Sequence, residues 1–180
     1  ATVDSYCLEA ALAEAASLPF AGDLVVNVEA VSVASPGFEA RLLRLARRMG
    51  IDPSRLILDV RLGYEEVPMG PLASGVVRTR SAGVRVCFEE ARASASPVLL
   101  LEVATPDFLK LSRSTVRNLW RDPWTRQCVE ATLRFGERLG FEVIAQGVES
   151  ERDLAAAKRC GIVLVQGHLV GPPRSQLHAR

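Results

Sequence analysis

Asn27, Asp59, Glu89, Glu90, Lys110, Gln146 and Gln166 are polar residues set at the ends of short apolar runs. Asn27 lies near the end of Asp23 to Val28, and Asp59 near the end of Arg55 to Val60. Glu89 and Glu90 directly follow Val84 to Phe88. Lys110 lies inside a run flanked by Leu109 and Leu111, Gln146 follows Phe141 to Ala145, and Gln166 follows Ile162 to Val165. Carboxylates and amides offer oxygen acceptors, and lysine offers a cationic donor. A series of acid, amide and lysine delivered by successive strand ends suits the mouth of a binding or catalytic bowl. Taken singly, each has a plainer reading, since a polar residue at a strand end solvates a loop or caps a helix. The spacing leaves both readings open.

The runs that carry these residues alternate with helical patterns. Asp4 to Ser17 is rich in Ala, Leu and Glu and reads as a helix. Phe38 to Met49 places Phe38, Leu42, Leu45 and Met49 at helical spacing, with Gly50 as its cap. Tyr64 to Ser81 reads as helix in its second half, after Pro68, Gly70 and Pro71 disturb the first. Pro123 to Leu139 is a helix opened by proline and closed by Gly140, and Glu151 to Cys160 is the last. Pro97 to Val103 has the composition of a strand. This rhythm predicts an α/β domain with a mainly parallel sheet, either an open doubly wound sheet or a closed (β/α) barrel. No G-x-G-x-x-G follows the first strand, and no G-x-x-x-x-G-K-[ST] loop is present.

Composition narrows the classes. The 180 residues suit one domain. Twenty-two Lys and Arg against 21 Asp and Glu give a net charge of +1, so no global field draws a nucleic acid polymer or an anionic membrane. No apolar run approaches the about 18 residues of a membrane span, and no signal peptide is visible. Cys7, Cys87, Cys128 and Cys160 are scattered, which predicts buried, reduced thiols in a cytoplasmic protein. Arg47 and Arg48 read as a solvated helix face. Trp120 and Trp124 read as residues packed on the wall of the domain.

The tail is the most specific stretch. Ile144-Ala145-Gln146-Gly147-Val148-Glu149-Ser150, then Val165-Gln166-Gly167-His168, then Gly171-Pro172-Pro173 resembles the A-E-G-V-E-T, Q-G-Y and Gly/Pro ending of EAL domains. These are bacterial phosphodiesterases that cut cyclic di-GMP. Val26-Asn27-Val28 is similar to the family's V-N-L/V, and Leu58-Asp59-Val60-Arg61-Leu62 to L-E-I-T-E. Gly83 to Arg92 is similar to G-V-x-I-A-L-D-D-F-G, and Pro106 to Val116 to P-x-D-x-L-K-I-D-x-S-F-V. The resemblance runs from about Val3 to Pro173. It implies an EAL-like (β/α) TIM-type barrel over residues 1–174 with a tail at 175–180, and it makes Pro97 to Val103 a helix.

The resemblance also implies roles. Asn27, Asp59, Glu89 and Glu90 stand where the family holds its metals, and Lys110 and Gln146 at its catalytic positions. Asn27, Glu149, Gln166 and Pro172 stand at nucleotide-binding positions. Two-metal hydrolysis needs hard oxygen ligands around the phosphate, and this chain departs from that set. No E-A-L occurs in it, so the barrel is expected to be incomplete, without the first strand, its metal-binding Glu and the Arg of E-A-L-x-R. Asp59 is one methylene shorter than the pattern, while Glu89 and Glu90 are one longer. Ala91 and Arg92 replace Phe-Gly, Leu62 replaces a Glu, and Ser112 replaces the Asp of K-I-D. Gln146 replaces a Glu, and an amide neither titrates nor carries charge. His168 replaces Tyr as a neutral polar lining residue. All of these site residues are therefore expected to be vestigial, with no cofactor, or Mg or Mn only with residual activity. The expected function is an inactive EAL-like regulatory module that binds a protein partner or a second copy through an open barrel edge. The alternatives are a cyclic di-GMP receptor without hydrolysis, and a weak Mg-dependent phosphodiesterase.

Overall fold

A computed structural model describes residues 3–18, 22–62, 67–89 and 104–173. The chain divides into two compact units between Pro106 and Asp107. The first holds α1 (Val3–Ser17), β1 (Leu24–Glu29), α2 (Ala30–Ala34), α3 (Phe38–Arg48), β2 (Leu56–Arg61), α4 (Met69–Ser81) and β3 (Arg85–Glu89). The second holds β4 (Phe108–Leu111), α5 (Arg113–Asn118), α6 (Pro123–Leu139), β5 (Glu142–Gln146), α7 (Glu151–Arg159) and β6 (Leu164–Gln166).

In the first unit β1, β2 and β3 pair in parallel in chain order, with Asn27 opposite Asp59 and Asp59 opposite Cys87. In the second, β4, β5 and β6 do the same, with Lys110 opposite Ile144 and Gln146 opposite Gln166. Parallel strands covered on both faces read as unbroken apolar runs. β2 is the clearest case: its first five residues are buried, and Leu56, Leu58 and Val60 of one face are fully so. The helices follow amphipathic spacing, as in α3, where Phe38, Leu42 and Ala46 are buried at intervals of four.

Most expected elements form at the expected places. α6 begins where Pro123 predicts, with the Asp122 carboxylate accepting from the backbone N–H of Trp124 and Thr125, and Gly140 closes it in the left-handed conformation. Three corrections concern strand ends. Glu89, Gln146 and Gln166 are the last residues of β3, β5 and β6 rather than residues beyond them, because each extends a ladder: Glu89 against Arg61, and Gln146 against Gln166. Two short helices were not expected. In α2, Val33 is fully buried and lies against Gly75 of α4, where a Cβ would come within 2.1 Å of the Val33 carbonyl oxygen. In α5, Ser112 is the cap, its hydroxyl accepting from the Thr115 N–H.

Two burial expectations are also corrected. Among the four, Cys87 alone is buried; Cys7 and Cys128 are exposed and Cys160 is intermediate, because Cys7 faces an open groove beside β1 and Cys128 lies off the buried Val129 and Gly136 line of its helix. Trp124 is 71% exposed, since it opens α6 on the side away from that helix's buried Val129 and Gly136. Trp120 is half-buried under the guanidinium groups of Arg121 and Arg152, 4.2 and 4.3 Å from its ring centroid. Arg47 and Arg48 are exposed, as expected. The segment Pro97 to Val103, Glu90, Ala91, Arg92 and the tail from residue 174 lie outside the described residues. Among the described helices none is long and apolar enough to cross a membrane.

Candidate functional site

Strand alternation puts Asn27 and Glu29 on one face of β1, Asp59 and Arg61 on the same face of β2, and Cys87 and Glu89 on that of β3. The register stacks them in two rows. Asn27, Asp59 and Cys87 form the deeper row; Glu29, Arg61 and Glu89 form the outer one at the C-terminal strand ends. Asp59 is buried and Asn27 exposed. In the outer row the Arg61 guanidinium lies 3.5 Å from Glu29 and 3.3 Å from Glu89. The hydrogen bond to Glu89, with the negative charge of Glu89, Glu29 and Asp59, raises the Arg61 pKa above its ordinary value. The structure thus brings Asn27, Asp59 and Glu89 together, but with an arginine between the carboxylates.

A groove of about 440 Å³ runs beside β1, lined by Asp4, Cys7 and Ala11 of α1, by Asn27 and Glu29, and by Arg61. Asp4 reaches across it. Its Oδ2 accepts the Glu29 backbone N–H at 2.9 Å, supplying the acceptor that a neighbouring strand would offer.

The second unit holds the rest. Lys110 is buried in the middle of β4. Gln146 and Gln166 end β5 and β6 side by side, the first half-buried and the second exposed. Past Gln146 the chain turns, and the Val148 N–H donates back to the Gln166 carbonyl at 3.0 Å. Gly167 packs onto that turn so closely that a Cβ would meet the Val148 oxygen at 2.1 Å and its nitrogen at 2.4 Å. Only glycine fits there, which gives the Q-G pair a steric reason independent of chemistry. Ser150 then caps α7 in a reciprocal capping box with Asp153.

Glu149 is held by two arginines. Nη2 of Arg113 and Nη2 of Arg117 reach its Oε2 at 2.5 and 2.6 Å. Partial burial works to raise its pKa, but the hydrogen bonds and charges of Arg117 and Arg113 outweigh that and hold the carboxyl below its ordinary value. His168 and Pro172 are exposed.

The family resemblance implies divalent metals, so the donors can be tested. Of the carboxylates on β1 to β3, Glu29 and Glu89 share Arg61. Among the described residues no group of three His, Cys, Asp or Glu is placed to hold a metal ion. Gln146 brings no charge to the second unit. This donor set does not fit a pair of divalent metals. The residues that sequence reasoning missed are Asp4, Glu29, Arg61, Arg113 and Arg117. Each is a charged residue next to a loop or terminus, with no sequence signal to set it apart from a solvated side chain.

Comparison with known proteins fits this geometry. The sequence model of the EAL domain family matches residues 1–173. The bifunctional diguanylate cyclase/cyclic di-GMP phosphodiesterase MucR of Pseudomonas aeruginosa is 27% identical over 154 residues, 84% of this chain and 22% of that protein. The structure of the PaMucR phosphodiesterase in complex with c-di-GMP superposes with a TM-score of 0.84 at 23% identity, covering 95% of this chain and 76% of that one. The calcium and cyclic di-GMP complex of Klebsiella pneumoniae BlrP1 gives a TM-score of 0.82 at 25% identity, covering 92% of this chain and 43% of that one. The fold is therefore the EAL-type (β/α) barrel fold; the described residues contain six of its strands, against eight in a closed barrel. The chain spans about a fifth of the length of the first curated relatives it matches.

Proposed function

The chain belongs to the EAL domain family, the cyclic di-GMP phosphodiesterase family of bacterial signalling, and from that premise we propose that it is a catalytically inactive member, acting as a regulatory protein-interaction module. The observation that carries this reading is Gln146. It ends β5 beside Gln166, at the position where the family pattern has a glutamate, and an amide can serve neither as an anionic ligand nor as a base. The remaining site residues are then vestigial: Asn27, Asp59, Glu89 and Glu90 at the metal positions, Lys110, together with Gln146, at the catalytic ones, and Asn27, Glu149, Gln166 and Pro172 at the nucleotide ones. The module spans residues 1–174 and works in the cytoplasm, where a cyclic dinucleotide signals.

Two surfaces support an interaction role. β1 pairs with β2 alone among the described strands; α1 lies beside its other edge, where Asp4 takes the Glu29 N–H, and a partner strand that displaced this contact would extend the sheet. On α6, Trp124, Phe135 and Leu139 are exposed at helical spacing, and aromatic residues of this kind are favoured in interfaces. A second reading, a receptor that binds cyclic di-GMP without cleaving it, is favoured by the exposed Gln166 beside Gln146.

Isothermal titration with cyclic di-GMP, with and without Mg²⁺, tests both while the nucleotide is monitored for hydrolysis. The expected result is no heat and no product. Heat without product establishes the receptor, and linear product formed with Mg²⁺ overturns inactivity.

A further inference from the structure

We propose that Arg61 is a built-in cation that takes the place of a divalent metal at the strand ends of the first unit. Asp59, Glu29 and Glu89 bring three negative charges to adjoining positions on one face of three neighbouring strands. Carboxylates so placed draw a cation among them, and Arg61 supplies it from the middle strand, within 3.5 Å of Glu29 and 3.3 Å of Glu89. In the pattern L-E-I-T-E it stands where the family has the neutral Thr. A guanidinium is charged at every accessible pH and spreads its donors over a plane. It bridges two carboxylates while repelling a second cation at their oxygens. The Arg61 side chain is 59% exposed, so it adds little to the packing of β2, and charge balance is the role its position serves.

This deepens the reading of an inactive site and rests on it in one respect: a site that turned over substrate with metal would need Glu89 free of Arg61. The prediction is specific. Removing the guanidinium creates a site for one hard divalent ion, with Asp59 and Glu89 as charged ligands and the Asn27 amide oxygen as a neutral one.

The test uses Mn²⁺ alone, followed by the loss of its free-ion electron paramagnetic resonance signal. It compares the unaltered chain, Arg61→Thr, Arg61→Lys, and Arg61→Thr combined with Glu89→Gln, with thermal melts to confirm folding. The unaltered chain and Arg61→Lys are expected to bind Mn²⁺ no tighter than about 1 mM, and Arg61→Thr at least ~10-fold tighter. The gain should vanish with Glu89→Gln. Should Arg61→Thr fail to fold, Arg61→Gln removes the same charge with a longer side chain. Equal Mn²⁺ affinity with and without Arg61, or a gain that survives Glu89→Gln, overturns the proposal. Hydrolysis of cyclic di-GMP by the unaltered chain would sink the inactive reading instead, and the Mn²⁺ comparison would still decide the role of Arg61.

Discussion

Glu149 is bound to two arginines at 2.5 and 2.6 Å, and the consequence is measurable in acid. Its folded carboxyl titrates below the ordinary value, so the folded state holds that proton less tightly than the unfolded chain does. The stabilisation is complete above the ordinary glutamate pKa, about 4.3, and is lost as pH falls through the folded value. Urea unfolding at pH 6 and pH 3.5 should therefore show a smaller acid-induced loss in Glu149→Gln than in the unaltered chain. An equal loss would mean that the clamp is not populated in solution. Gln146 gives a second prediction at this scale. Gln146→Glu alone should yield no linear product from cyclic di-GMP with Mg²⁺, because restoring one carboxylate leaves Glu29 and Glu89 paired with Arg61; chromatographic detection of product would refute this. The polar residues on strand ends were legible in sequence because each interrupts an apolar run. Arg61, Arg113 and Arg117 were not, because only cross-strand register and the turn after β5 bring them to their carboxylates.

Elements were legible in proportion to how much of their cause is local. α6 carries its own start and stop in Asp122, Pro123 and Gly140, and β2 announces itself as four apolar residues around one Asp. α2 has no such signal: Ala30-Val31-Ser32-Val33-Ala34 is rich in β-branched residues that favour strands. It is helical where Val33 packs on Gly75, a contact 42 residues away that no local pattern reveals. Gly75→Ala should therefore destabilise the first unit by about 1–3 kcal/mol through forced separation of α2 and α4, read as a shift in the denaturant midpoint. α7 offers the local counterpart. Ser150→Ala removes the capping box and should cost about 1 kcal/mol, with faster amide exchange confined to the first turn of α7. Exchange unchanged there would mean that tertiary packing alone holds that end.

At the scale of the whole molecule, the question is what covers the exposed surfaces. Trp124, Phe135 and Leu139 lie on α6 away from its buried Val129 and Gly136. Phe135→Glu should leave the melting temperature nearly unchanged while reducing any concentration-dependent association seen by sedimentation velocity; association that survives it would direct attention to the β1 edge. The alternation of strand-like and helix-like runs indicated the α/β class, but the state of the site depended on contacts between residues far apart in sequence. The close seat of Gly167 on the Val148 backbone carries a wider meaning. The fold itself demands that glycine, so the Q-G pair would persist in a descendant that had lost every catalytic group. A genome survey keyed to this tail therefore counts inherited shape, and a census of cyclic di-GMP degradation drawn from it would include every member that keeps the glycine but has lost the chemistry.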